Sequence, residues 1–534
     1  MALSAALERA RDAHRAGRLD DARQGYEAAL QTNSDDADAL HLLGVLCHQT
    51  GDSTRAFDLL DRAISLRNGF AEALNNRGAF RQGTGDVARA LADFQAAAES
   101  DADFADAWLN LGCLVRIADG AAAALVPFQR AAALAPDLIE AQGALGECLA
   151  ALGRRDEALA VLENALALNA AHAPTLCNKG KVLNDIGRFD DAIQVLHAAV
   201  AAAPDFAEAW NNLANARVQA GDATSGIDAY RRAIDCRPGF GHAQRGLAQA
   251  LAQNGQTDEA AAAYRQAAVS DPNNPTAPNG LASLLLGQGD SEGALAAVTQ
   301  ALDASPGDTT ALAHKGTALI AAGCLDDAEE LNRLDTFVKP RPMAPPAGYT
   351  DMAAFNQALA EHILAHPSLT EDPSQHATRH GRHSGELLVE PMGPMAGFRD
   401  MVLAAAAEYR DDLDGADGHP FIQRRPRAFR LTAWAVVMRA EGHQVAHIHG
   451  SSWLSGVYYP RLPAIVDADD GNHAGWIEFG QPPEGTLLDH TPPLRILKPE
   501  EGLLVLFPSF LYHRTIAYQA DQQRISIAFD VMPG

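Results

Sequence analysis

The chain has no basic excess, no cysteine framework and no long apolar run, and each absence removes a class of protein. Its formal net charge is −26 at pH 7. Residues 351–534 hold 14 Lys and Arg against 23 Asp and Glu, so −9 of that charge lies there and −17 before it. Neither part offers the positive surface that a nucleic-acid backbone demands, and no nucleic-acid partner is expected. The acidic balance serves chiefly to keep a large protein in solution. Six cysteines, Cys47, Cys113, Cys148, Cys177, Cys236 and Cys324, are scattered without a CxxC pair. They are expected as buried reduced thiols. The N-terminal stretch carries charges every few residues and lacks the apolar core of a signal peptide. No apolar run approaches the roughly 20 residues that span a bilayer. The expected compartment is a reducing cytoplasm, with no membrane partner.

At 534 residues, 47% hydrophobic and 21% charged, the chain is folded, soluble and too long for one core. Its organisation emerges when it is aligned on itself at a period of 34. Small residues then fall in register as Ala10, Gly44, Gly78, Gly112, Gly146, Gly180, Ala214, Ala248, Ala282 and Gly316. A second series follows twelve residues later, from Ala22 and Ala56 to Ala328 with Gly226 as its one glycine, and a third runs from Ala29 to Ala301. Helices cross closely only where side chains are small, so the series describe a helix pair whose contact points recur. Tyr26, Phe94, Phe128, Tyr230 and Tyr264 fill the space between, and prolines such as Pro136, Pro204 and Pro238 mark the turns into the next repeat.

This pattern resembles the tetratricopeptide repeat (TPR) family over residues 3–338, in about ten 34-residue units of which the last is degenerate. The resemblance implies an all-α superhelical solenoid whose concave face, lined by the first helix of each pair, binds a protein or peptide. Two residues before the small position stand Asn76, Asn110, Asn178 and Asn212. An amide offers both donor and acceptor, so a row of them can grip a peptide backbone without reading its sequence. The row is similar to the asparagine ladder in the arm of the O-linked N-acetylglucosamine transferase. It is incomplete, with Ala144, Gly246, Gly280 and His314 at other rungs, and plain solvated asparagines would give the same pattern.

Residues 339–350 form a proline-rich linker, and the second domain is expected over 351–534. Helices are expected at 351–366 and 394–413, followed by short strands at 429–438, 443–449, 453–459, 475–479, 502–507, 512–518 and 524–531. That succession suggests a double-stranded β-helix, or jelly roll, with flanking helices. On the last strand Arg524, Ser526 and Ala528 share one face and Ile525, Ile527 and Phe529 the other. An inward arginine is costly to bury without an anion, so Arg524 calls for a carboxylate ligand. His447 and His449 fall on one side of their segment, and His513 supplies a third imidazole from far away in sequence. Three imidazoles with an open position suit iron, zinc or copper. Glu478 and Asp489 are weighed as remote ligands, although acidic loop residues are usually solvated.

Together His447-x-His449, Trp453-Leu-Ser-Gly-Val-Tyr-Tyr459, Gly502-Leu-Leu-Val-Leu-Phe-Pro508, His513 and Arg524-x-Ser526 resemble the 2-oxoglutarate-dependent Fe(II) oxygenases. The resemblance implies that Fe(II) and 2-oxoglutarate bind in the barrel, that O2 oxidises the cosubstrate to succinate, and that a substrate C–H bond is hydroxylated. By position His447 and His513 would ligate iron, Arg524 would pair with the distal carboxylate of 2-oxoglutarate, and Ser526 would hydrogen-bond it. Tyr458, or its neighbour Tyr459, would line the same pocket. One departure stands out: His449 occupies the place where most of these enzymes carry Asp or Glu. His449 is then a third ligand, or water replaces the carboxylate, or the iron chemistry is lost. The functions that follow are a dioxygenase whose repeat arm recruits a protein or peptide substrate, a scaffold with an inactive barrel, or a three-histidine cupin-like metalloenzyme that uses no 2-oxoglutarate.

Overall fold

The structure, a computed structural model, describes residues 5–371, 377–468 and 471–534, with the backbone alone at 439–441. The expected start of the repeats at residue 3 lies outside the described residues. By their internal contacts the residues form two compact units, Met1–Pro238 and Gly239–Gly534. Among the described residues no helix is long and apolar enough to cross a membrane.

The first unit is a TPR-like solenoid of paired helices, from Ala5–Arg15 and Leu19–Thr32 to Ala207–Gln219 and Ala223–Cys236. The small residues sit where the pairs close. A Cβ added at Gly78 would stand 2.9 Å from the Phe94 ring, at Gly112 2.7 Å from Phe128, and at Gly146 2.6 Å from Leu162. Each glycine thus receives a large side chain from the second helix of its own pair, and Phe94, Phe128 and Leu162 are fully buried by this fit. A further signal in the same period went unread in the sequence. Gly17, Gly51, Gly85, Gly153, Gly187 and Gly221 turn their hairpins at φ between +73° and +89°, and Gly120, one residue out of period, turns the fourth at +86°, a conformation that glycine adopts without strain. Of the six cysteines, Cys47, Cys148 and Cys177 are buried and Cys113 half-buried, but Cys236 and Cys324 are exposed. The expectation of six buried thiols is corrected there, because both stand at the boundaries of a second helix where the chain meets solvent.

The second unit begins with further helix pairs, from Gly241–Gln253 to Leu325–Asn332, and continues, among the described residues, into ten strands. These are β1 (Lys339–Pro342), β2 (Thr370–Glu371), β3 (Thr378–His383), β4 (Phe429–Gln444), β5 (Leu454–Arg461), β6 (Ile477–Phe479), β7 (Arg495–Leu497), β8 (Leu503–Pro508), β9 (His513–Thr515) and β10 (Ala520–Pro533). They build a seven-stranded antiparallel sheet, ordered β1-β8-β5-β10-β4-β3-β2, and a three-stranded sheet, β7-β6-β9. The two close as a jelly roll, flanked by helices Met352–Ala365 and Met395–Asp411. Residues 443–449, expected as a separate strand, are instead the end of β4 and a loop in which His447 pairs with His513 as an isolated bridge.

The stretch expected as a linker holds β1, which pairs with β8 at the sheet edge. An edge position explains why Pro340 and Pro342 are tolerated, since one side of an edge strand has no ladder to complete. Nor does the core stop at the end of the repeats. Leu312, Leu319, Ile320, Ala328 and Leu331 belong to one buried cluster with Phe355, Phe398, Tyr409 and Phe529. The Thr309 hydroxyl also donates to the Ser452 carbonyl at 3.2 Å, and His419 bonds the Leu331 carbonyl at 2.8 Å. A fragment of residues 239–534 is therefore expected to be soluble and to melt in one transition. A fragment of 339–534, whose core face is stripped, is expected to aggregate; expression followed by thermal unfolding in circular dichroism checks both.

Candidate functional site

The pattern of β10 builds the site. Its residues alternate between the interior and the helix side, and Arg524, Ser526, Ala528 and Asp530 all line a cavity of about 310 Å³. Ile525, Ile527, Phe529 and Val531 go the other way into the apolar core. The neighbouring strands contribute Trp434 from β4, Tyr459 from β5 and Phe507 from β8, and the loop after β4 contributes His447 and His449. His513 enters at the start of β9, its ring centre 4.6 Å from that of Phe507.

The backbone fixes the histidines before any ligand is considered. His447 and His513 exchange N–H···O bonds of 3.1 Å in both directions, and the His449 amide donates to the Ser509 carbonyl at 3.1 Å. One nitrogen of each of the three rings lies within 4.8 Å of the others, forming a potential metal-holding group. In every ring Nδ1 faces an acceptor: the Val445 carbonyl at 2.8 Å for His447, the Leu511 carbonyl at 3.1 Å for His513, and Oδ1 of Asp530 at 2.7 Å for His449. Each Nδ1 must therefore carry the proton, which leaves the Nε2 lone pair available to a metal. Burial, reinforced by the neighbouring His449, pushes the His447 imidazole down to about 4. Burial likewise holds His513 well below its ordinary value. Both are neutral at pH 7, the form that ligates.

Arg524 is 1% exposed, and among the described residues no carboxylate pairs with it. Its Nη1 donates to the Gly475 carbonyl, while among the described residues Nε finds no hydrogen-bond partner; the buried Thr378 hydroxyl is likewise unpaired, and that of Tyr459 has no partner beyond the neighbouring guanidinium. The Arg524 guanidinium carbon lies 5.2 Å from the Tyr459 ring centre. Burial raises the Tyr459 phenol to about 12 against the pull of that charge. Ser526 makes only a long 3.5 Å contact to the Val436 carbonyl. A buried cation beside unsatisfied hydroxyls is the donor set of an anion site, and a carboxylate would satisfy it. The donor chemistry thus fits a dicarboxylate cosubstrate beside a metal.

Not every expected residue falls here. Tyr458 is corrected: alternation along β5 sends it to the helix side, where its hydroxyl bonds Oδ1 of Asn356 at 2.5 Å and its ring meets Phe398. Tyr459 takes its place in the cavity. Glu478 is no ligand, since it is buried in β6 and paired with Nε of Arg514 at 2.6 Å. The sequence reading missed Asp530, Thr378 and Trp434. Asp530 was legible as the next inward residue of β10, whereas Thr378 belongs to a strand, Thr-Arg-His-Gly-Arg-His, with no apolar face to announce it.

In the first unit the four ladder asparagines are half-buried, and three of them bond to the repeat before. Asn76 Nδ2 donates to His41 Nε2 at 2.8 Å, Asn110 Nδ2 to Asn75 Oδ1 at 2.9 Å, and Asn212 Nδ2 to Cys177 Sγ at 3.2 Å. Among the described residues Asn178 makes no such bond.

Fold and site together define a jelly roll with a three-histidine pocket and a buried arginine, continuous with a repeat solenoid. Residues 432–530 match the family model described as "Putative 2OG-Fe(II) oxygenase". Residues 7–69, 142–173, 177–240, 214–275 and 279–335 match models of the tetratricopeptide repeat. Models of the tetratricopeptide repeat thus match the first part of the chain and a model of a 2OG-Fe(II) oxygenase domain its last part. Among solved structures, PilF of Pseudomonas aeruginosa is 20% identical over 39% of this chain and 94% of its own, with a TM-score of 0.34. MamA of Desulfovibrio magneticus RS-1 is 26% identical over 31% and 94%, with a TM-score of 0.28. YrrB, described as a TPR protein with an unusual peptide-binding site, is 23% identical over 34% and 95%, with a TM-score of 0.29. No curated protein matches the chain.

The His41–Asn76 bond gives a pH prediction. Burial lowers His41 to about 4, with Arg67 adding to this and Asp38 opposing it. The folded state thus disfavours the proton that the unfolded chain accepts near 6.5, and stability falls as pH drops from about 6.5 to 4. The loss amounts to at most about 3 kcal/mol. In urea titrations the His41→Gln variant should show a flatter pH dependence over that window than wild type.

Proposed function

We propose that the chain is a 2-oxoglutarate- and Fe(II)-dependent dioxygenase, a hydroxylase whose TPR array recruits a protein or peptide substrate. One observation carries the reading: a buried, anion-deficient arginine shares a cavity with three imidazoles whose Nε2 lone pairs are free. A scaffold has no use for that combination, because burying an unpaired guanidinium costs stability.

In this reading His447, His449 and His513 would hold Fe(II) through Nε2. Arg524 would pair with the distal carboxylate of 2-oxoglutarate, and Ser526 and the Tyr459 hydroxyl would hydrogen-bond it. Iron and 2-oxoglutarate, when bound, supply with O2 the oxidation that gives succinate and CO2 and places one oxygen atom on a substrate C–H bond. Phe507, Ile477, Val457 and Ala528 wall the cavity with apolar surface and exclude water from the reaction. Because Nδ1 of His449 is held by Asp530, its Nε2 is oriented as a ligand, which favours His449 as the third donor over water.

Anaerobic titration of the Fe(II)-loaded protein with 2-oxoglutarate tests this. A weak visible charge-transfer band is expected in wild type and in Tyr458→Phe, and no band in His513→Ala or Arg524→Ala. Metal that binds without responding to 2-oxoglutarate would point to the three-histidine alternative, and absence of metal binding to a scaffold.

Recruitment rests on the repeats and on the amide row. Asn76, Asn110 and Asn212 spend Nδ2 on the preceding repeat, so what Asn76 and Asn110 offer a peptide is chiefly the carbonyl oxygen, an acceptor for backbone N–H groups, while that of Asn212 already accepts from Asn211 Nδ2 at 3.4 Å. Changing Asn76, Asn110, Asn178 and Asn212 to alanine should weaken a library-selected peptide at least tenfold in fluorescence anisotropy. Unchanged affinity would remove the ladder from the mechanism.

A further inference from the structure

The three imidazoles are not held alike. His447 and His513 give their Nδ1 protons to backbone carbonyls, but His449 gives its proton to the carboxylate of Asp530 at 2.7 Å. That carboxylate is 9% exposed. It stands one hydrogen bond from the histidine group.

A closed ring of bonds keeps it there. The Ser455 hydroxyl donates to Asp530 Oδ1 at 2.7 Å, and so must accept from the Ser509 hydroxyl at 2.8 Å. The Ser509 carbonyl in turn accepts the His449 amide at 3.1 Å. Both hydroxyl protons point toward Asp530, and both ends of the ring close on His449. Ser455 and Ser509 are fully buried, and β10 pairs Asp530 directly with Ser455, so the ring is built from strand register and not from mobile surface groups.

We infer that Asp530 is a positioning residue for the metal centre, an inference that rests on the three-histidine site proposed above. Asp530 fixes His449 in the Nδ1–H tautomer, aims its Nε2 into the cavity, and strengthens it as a donor through the carboxylate–imidazole bond. A neutral ligand stands at the position where the resemblance leads one to expect a carboxylate. The negative charge is restored one hydrogen bond further out.

The test uses the full chain, stripped of metal by a chelator and titrated with Co(II), whose visible bands report affinity and coordination geometry. Asp530→Asn keeps the shape and an acceptor but removes the charge, and should weaken Co(II) binding roughly 10- to 100-fold with altered bands. Asp530→Ala should weaken it at least as much, and Ser455→Ala, which loosens Asp530 without discharging it, by a smaller factor in the same direction. Melting temperature, followed in parallel, separates these effects from loss of fold. Wild-type affinity and unchanged bands in all three variants would overturn the inference while leaving the metal site intact. Wild type that binds no Co(II) would overturn the metal site itself, and the inference with it.

Discussion

The period-two alternation of β10 is the constraint on which the rest of the C-terminal structure depends. The strand lies inside the seven-stranded sheet, paired on one side with β4 and on the other with β5. Neither edge is free, so its register cannot slip without moving both neighbours. A slip of one residue would send Arg524 and Asp530 into the apolar layer and Ile525, Ile527 and Phe529 into the cavity. The buried cation and the apolar core thus enforce the same register. The anion site and the histidine support both follow from that single choice of face.

The solenoid rests on a different constraint, the close approach of paired helices. Gly78, Gly112 and Gly146 leave no room for a Cβ against Phe94, Phe128 and Leu162, and the repeat period expresses this need thirty-four residues at a time. Once the spacing is set, side chains one position off equivalence in successive repeats come within hydrogen-bond reach. Asn76 to His41, Asn110 to Asn75 and Asn212 to Cys177 are each separated by 35 residues. The residue types that suggest a ligand row thus also serve the packing of one repeat on the next.

What the sequence made legible follows from these two periodicities. The repeat needs many copies to be seen and has them, and Arg524 with Ser526 declares its face within a few residues. Tyr458 and Tyr459 could not be separated by identity, because adjacent strand residues face opposite ways and only the helix packed outside, through Phe398 and Asn356, decides which is which. The small sheet hid behind its length: β6, β7 and β9 have three residues each, too few for alternation to register. Residues 339–342 read as a linker because proline argues against a strand, a rule that holds for central strands and lapses at an edge. Alternation along β10 marks Asp530 as inward-facing but not its role, which lies in the contact with His449, 81 residues away.

The repeats do not end where their period ends. Within the second unit the loop that carries His449 runs on through Gly450 and Ser451 to Ser452, whose carbonyl accepts from Thr309 at the start of helix Thr309–Ala321. A Cβ at Gly450 would stand 3.2 Å from the Thr310 hydroxyl, so loop and helix are in close apposition. The same loop is fixed from the other side by Asp530 and Ser509. His449 therefore sits between a strand of the jelly roll and a repeat helix. Its placement depends on both, which makes these last repeats part of the framework of the pocket in addition to any surface they offer a partner.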